Sequence, residues 1–190
     1  MDLSNMYTTK KDIVQEIQAA SHPGRATTLV AIDGCGGSGK STLATVLAES
    51  LENAHVVPCD DLAANPSHPE WRQRLMQQVI APLMRDRRAR YSHYEWRTGD
   101  ILGWREIEPG GVVIVEGVST LHSDLGDPWD VAIWVDCPRE LRLVRGIDRD
   151  GEISRATWVE HWMPEEDQYV SAQQPQARAD CIYDGSALGS

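Results

Sequence analysis

Phenylalanine is missing from the 190 residues, and lysine is scarce, with three against fifteen arginines. Lys10 and Lys11 lie near the start, which leaves Lys40 as the one lysine in the rest of the chain. Long apolar runs are missing too. The longest, Val131 to Val135, falls far short of the roughly 20 residues that a spanning helix needs, so no membrane span is expected. The first residues, Met-Asp-Leu-Ser-Asn-Met-Tyr, offer neither a basic nor an apolar region, and no secretory signal is expected. Cysteines are few and far apart. Cys35, Cys59, Cys137 and Cys181 form no CxxC pair, and the six histidines show no HExxH or HxxxH spacing. A zinc site is therefore not expected, and the four thiols are expected as small buried groups in a reducing, cytoplasmic setting. Positive charge is also short, with a formal net charge of −11. A protein that neutralises many phosphates needs a basic face, so nucleic acid is excluded as a partner. Small anions are not excluded, because a local nest of backbone amides holds them against the global sign.

What is present suits one core. Hydrophobic residues make up 41% and charged residues 25%, and tryptophan appears seven times. One domain over 1–190 is expected, with no repeat or low-complexity stretch. The spacing of Ile13, Val14 and Ile17 predicts a helix over 11–20, broken by Ser21-His22-Pro23-Gly24. Further helices are expected over 41–51, 71–86 and 138–149. Buried strands are expected at 28–33, 55–58, 112–115, 131–135 and 181–183. Strands alternating with helices argue for an α/β fold, a mostly parallel sheet with helices on both faces.

Gly34-Cys35-Gly36-Gly37-Ser38-Gly39-Lys40-Ser41 matches G-x-x-x-x-G-K-[ST], between a predicted strand and a predicted helix. Glycines let successive N–H groups converge on one anion, and the helix start adds free N–H groups and a positive dipole end. Lys40 suits the β- and γ-phosphates of a nucleoside triphosphate, and the Ser41 hydroxyl suits Mg²⁺. Gly34, Gly36 to Lys40, Ser41 and Thr42 are the candidate triphosphate site. Glu116, closing the apolar strand Val112 to Val115, is a second candidate ligand for the metal. The guanine-reading string Asn-Lys-x-Asp is missing. The nearest match, Thr9-Lys10-Lys11-Asp12, precedes the loop and lacks the asparagine, so ATP is favoured over GTP.

Asp60 and Asp61 follow the second strand, at the end of the sheet where open α/β folds bind ligands. A carboxylate there suits the proton of an attacking hydroxyl. Tyr94-Glu95-Trp96 offers two aromatics and an acid, a candidate wall for a planar ring. Arg142, Arg145 and Arg149, with Arg139 before them, share one helix face and suit a phosphate clamp. Pro164-Glu165-Glu166-Asp167 reads as a helix start with acids complementing the dipole, without a catalytic part.

Taken in order, these blocks resemble the uridine kinase family of P-loop nucleoside kinases, with its phosphoribulokinase-like and pantothenate kinase-like branches. The matching stretches are Ala31 to Thr42, Pro58 to Leu62, Tyr94 to Trp96, Gly111 to Gly117, Trp134 to Asp136 with the arginine helix, and Ala179 to Tyr183. The resemblance implies a P-loop NTPase-type three-layer sandwich, with a five-stranded mostly parallel sheet and a short helical lid near 139–155. It implies Asp60 as the catalytic carboxylate beside Lys40, and Glu116 as the acid associated with magnesium. Tyr94 to Trp96, with Asp61, would form the substrate wall, and Arg142 to Arg149 the lid arginines. The implied reaction is transfer of the γ-phosphate of Mg·ATP to a hydroxyl of uridine or cytidine. Leu62 stands where the family often has an aromatic, and Thr98-Gly99 where it often has a basic residue or histidine. Asp33 also resembles nucleoside-monophosphate kinases of the cytidylate type. A monophosphate or pantothenate acceptor, a nucleotide-binding regulatory module, a hydrolysing ATPase and a homo-oligomeric state all stay open.

Overall fold

The computed structural model describes residues 7–20, 24–63, 70–95 and 98–187. Its centre is strand β1 (Thr27–Asp33), whose TTLVAID run is buried because a strand lies on each side of it. The other strands of this sheet are β2 (Ala54–Pro58), β5 (Gly111–Glu116), β6 (Val131–Asp136) and β7 (Cys181–Asp184). Their order is β2-β5-β1-β6-β7, with every pairing parallel. The five-stranded α/β sandwich expected from the sequence is the observed fold.

Side chains alternate along β1 and feed two cores. Val30 and Ile32 face α1 (Lys10–Ala19) and α2 (Lys40–Glu49), packing with Ile13, Ile17, Leu43 and Leu47. Leu29 faces the other way and joins Val113 and Val115 against α3, a helix over 70–83 that contributes Trp71, Leu75, Val79 and Leu83. Thr9 caps α1, accepting from the Asp12 N–H at 3.2 Å.

Parallel register decides what meets at the functional edge. Ile32 lies opposite Glu116, and Glu116 lies opposite Pro58. The loop after β1, the acid that ends β5 and the short turn Cys59–Leu62 after β2 therefore emerge side by side.

Two elements depart from expectation. β3 (Ala89–Glu95) and β4 (Asp100–Ile107) form a separate antiparallel hairpin that the sequence did not announce. β4 is exposed over most of its length, with Trp104 about half exposed, so it lacks the alternating apolar pattern of a half-buried strand. The second is α5, continuous over 155–173. Pro164 does not start this helix. A π-turn, Trp158–Trp162, immediately precedes Met163 and Pro164, as another, Met76–Ile80, precedes Pro82 in α3. Such a turn re-routes the backbone ladder, so a proline without an N–H is accommodated inside a helix.

Candidate active site

The Gly34–Gly39 loop wraps the start of α2. Gly37 and Gly39 have φ of +74° and +99°, a region that side chains resist. A Cβ on Gly37 would also collide with the carbonyl oxygen of Arg142, so the loop lies flush against α4 (Arg139–Asp150). The Lys40 ammonium is buried and donates to the Cys35 carbonyl at 3.0 Å, holding the loop in a ring. The Ser41 hydroxyl donates to Glu116 Oε1 at 2.9 Å. Burial pushes the Glu116 carboxyl above its ordinary value, while Lys40 and the Ser41 hydroxyl pull it down.

Beside the loop is a cleft of about 870 Å³. Of the residues singled out from sequence, Gly36, Gly37, Gly39, Lys40, Ser41, Thr42, Asp60, Glu116, Arg145 and Arg149 line it. Gly34 and Ser38 support the loop from behind; Ser38 is fully buried. Asp60 is exposed to the cleft, and its carboxylate has no hydrogen bond or ion pair with any described residue. Asp61, one residue on, is turned away. It is buried under the hairpin, 2.8 Å from an Arg105 nitrogen and 3.3 Å from His93 Nε2. Burial raises its carboxyl, and Arg105 and His93 oppose that. Tyr94 and Glu95 do not line the cleft, and the guanidinium of Arg74 covers the Tyr94 ring at 5.0 Å. Trp96 lies outside the described residues. Aromatic surface in the cleft comes instead from Trp71, His122, Trp158, Trp162 and Tyr169.

The arginine face of α4 divides. Arg142 is buried and does not line the cleft; it donates to Glu166 Oε2 at 3.0 Å. Arg139 pairs with Asp167. Arg145 donates to the Gly185 carbonyl at 3.0 Å while bordering the cleft. Arg149 forms a two-pronged pair with Asp150, at 2.9 Å for each bond, and lies over the Trp158 ring. The reading of Pro164 to Asp167 as purely local acids is thereby corrected. Glu166 and Asp167 clasp α5 to α4, and Glu166 Oε1 also accepts from the Gly36 N–H at 2.8 Å. No local spacing signals a pair formed across 24 residues.

Asp33 is fully buried and organises the floor. It accepts from the backbone N–H groups of Gly34, Ser119 and Leu121 at 2.7 to 2.9 Å, and from the Tyr169 hydroxyl at 2.5 Å. Burial raises its pKa against those bonds. This carboxylate is used internally and does not line the cleft.

Glu166→Ala would strand the Arg142 guanidinium in the interior. A broken buried pair costs about 3–5 kcal/mol, so a large fall in the urea midpoint with little change in slope is expected. A midpoint close to wild type would show that Arg142 finds another partner.

Ser41 and Glu116 fit Mg²⁺. A hydroxyl and one carboxylate are hard oxygen donors, and magnesium takes few protein ligands when phosphates and water supply the rest. In keeping with that sparse set, no group of three or more His, Cys, Asp or Glu side chains is arranged to hold a metal among the described residues. The loop with Lys40 fits a triphosphate, as its amides and ammonium are the donors that such an anion requires.

A family model described as an AAA domain matches residues 30–170. A uridine kinase of Macrococcus caseolyticus is 29% identical over 170 residues, covering 78% of this chain and 79% of that one. A uridine kinase of Staphylococcus aureus is 28% identical over 146 residues, 66% of this chain and 70% of that one. Among solved structures, a possible uridine kinase from Bacillus stearothermophilus superposes with a TM-score of 0.68 at 20% identity, covering 97% of this chain and all of that one. Loop, sheet order and family match agree: the chain belongs to the AAA domain family and has the α/β fold of P-loop kinases.

Proposed function

We propose that the protein is an ATP-dependent kinase that transfers the γ-phosphate to a hydroxyl of a small molecule. One observation carries this reading. A carboxylate with no hydrogen bond or ion pair among the described residues, Asp60, faces the same cleft as Lys40, Ser41 and Glu116. A module that only bound nucleotide would have no use for it. In this reading the amides of Gly37 to Thr42 and the Lys40 ammonium hold the triphosphate. The acceptor hydroxyl donates to Asp60; its oxygen attacks the γ-phosphorus, its proton passes to Asp60, and ADP leaves. Mg²⁺, held by Ser41 and Glu116, would neutralise charge on the phosphate oxygens. Arg145 and Arg149 border the cleft; in this reading they meet the charge of the transferred group, and 139–155 acts as the lid of a single domain. Asp61 serves by anchoring the hairpin with Tyr94 and Glu95, which frames the acceptor side.

Uridine heads the acceptors to test, because the curated relatives are named uridine kinase, and cytidine stands beside it as the other pyrimidine nucleoside. A cytoplasmic setting accords with four free, buried cysteines. No helix among the described residues is long and apolar enough to cross a membrane.

ADP release from Mg·ATP, measured with and without a panel of nucleosides, nucleotides and pantothenate, tests the proposal. Stimulation by an acceptor, with a phosphorylated product in the mass spectrum, is expected. A flat response would indicate a nucleotide-binding module, and equal turnover without acceptor an ATPase.

A further inference from the structure

Arg72 is a sheltered arginine of the cleft lining whose carboxylate partner is weak. Arg25 and Arg142 each have a close carboxylate, Asp130 and Glu166. Among the described residues Arg72, with its side chain 15% exposed, has one carboxylate partner, Asp124 at 3.4 Å, which is 59% exposed, and its guanidinium lies over the Trp71 ring at 5.4 Å. Its contact with Ser119 Oγ is also long, at 3.4 Å. Its Nε, like that of Arg25, is buried with no hydrogen-bond partner among the described residues. An exposed acid at that distance is screened by solvent and offsets little of a guanidinium charge. Yet Arg72 lines the cleft that Asp60 faces.

Its neighbours in the cleft are donors as well. His122 Nδ1 accepts from the Asp124 N–H at 3.1 Å, so the neutral ring carries its proton on Nε2. Burial, and after it Arg72, hold that ring below its ordinary pKa, favouring the neutral form. Gln173 Oε1 accepts from the Ser123 N–H at 3.2 Å, which leaves the amide NH₂ to donate. The Arg72 guanidinium, an imidazole N–H and an amide NH₂ thus stand together in the cleft lining as donors. Arginine forks suit the planar oxygens of carboxylate and phosphate.

We propose that the phosphate acceptor is an anionic hydroxy compound, its carboxylate or phosphate held by Arg72 while its hydroxyl faces Asp60. This rests on the cleft being the acceptor site, as proposed above, and narrows it: a neutral nucleoside would leave the Arg72 charge with only the exposed Asp124.

The test uses charge-matched pairs with Mg·ATP and the full chain. Pantothenate against panthenol probes a carboxylate; ribose 5-phosphate against ribose and UMP against uridine probe a phosphate. ADP release and product mass are followed for wild type, Arg72→Gln and Arg72→Lys. For at least one pair, the charged member is expected to show a kcat/KM about tenfold or more above its neutral partner, the scale of one charge-assisted hydrogen bond. Arg72→Gln should erase that ratio chiefly through KM, with the KM for ATP unchanged, and Arg72→Lys should restore part of it. An unfolding curve for each variant separates misfolding from lost recognition. If Arg72→Gln does not fold, the wild-type and Arg72→Lys ratios decide. Neutral members turning over as well as charged ones would overturn the inference and leave phosphotransfer standing. So would a ratio that survives Arg72→Gln. No stimulation by any of the six compounds would overturn both the inference and the reading beneath it.

Discussion

Asp60→Asn is expected to lower acceptor phosphorylation by about 10²–10⁴-fold, the usual share of a positioned general base, while ATP affinity stays close to wild type. Asparagine keeps the size and the hydrogen-bonding oxygen of the side chain but cannot take up the hydroxyl proton. The carboxylate has no described partner, so the substitution breaks no internal bond and should leave the unfolding midpoint near wild type. Asp60 also lies in the short turn Cys59–Leu62, outside the Gly34–Gly39 loop. Initial rates of product formation, together with titration of ATP against intrinsic tryptophan fluorescence, separate the two effects. Near-normal turnover would remove Asp60 from its proposed role. Loss of ATP binding in step with turnover would move it to the nucleotide side.

The second large effect is that of Lys40→Ala. Its ammonium is the buried cation of the phosphate loop, and it braces that loop through the Cys35 carbonyl. Both functions disappear in alanine. A fall in kcat/KM of about 10²–10³ is expected, the scale for removing one preorganised donor to transition-state charge, accompanied by weaker ATP binding. A second signature follows from Glu116. Burial raises its carboxyl and Lys40 opposes that rise, so without Lys40 the carboxyl moves higher still. The role proposed for Glu116 at the metal requires the ionised form, which is lost as pH falls through the folded-state pKa. The acid limb of the pH–rate profile should therefore shift to higher pH in Lys40→Ala, measured at saturating magnesium. An unmoved limb would mean that Glu116 does not control it.

The two substitutions also show how unevenly the site could be read in advance. Lys40 was legible because a triphosphate cradle needs glycines, a lysine and a hydroxyl at fixed contiguous spacing between a strand and a helix. That requirement is local, so it is written locally. The sheet was legible for a similar reason: short β-branched runs such as Val112 to Val115 bury both faces only inside a parallel sheet. Asp60 and Asp61 are a different case. They are adjacent and chemically alike, and no spacing rule separates them. A single turn sends Asp60 into the cleft and Asp61 beneath Arg105 and His93 of the hairpin. That hairpin was itself silent in the sequence, because β4 is held by pairing with β3 more than by an apolar face of its own.

The arginine helix was legible only in outline. Helical spacing correctly placed Arg142, Arg145 and Arg149 on one element, but which of them meets the cleft depends on its neighbours. Glu166 of α5 takes Arg142 into the interior, and Asp150 of α4 itself engages Arg149 at the cleft border. Arg72 and Tyr169 carried no motif at all, and Glu166 read only as a helix-start acid.

From the order of residues alone came the phosphate cradle, the parallel α/β architecture and the acids at the strand ends. Each rests on short-range sterics, backbone hydrogen bonding or side-chain alternation, which neighbours along the chain are enough to specify. The partners of Arg139, Arg142 and Asp61 were settled only when α4, α5 and the hairpin packed around the sheet edge. An ion pair depends on distance and solvent exclusion, and those are set by packing when the groups lie far apart in the chain, as Arg25 and Asp130 do at 105 residues.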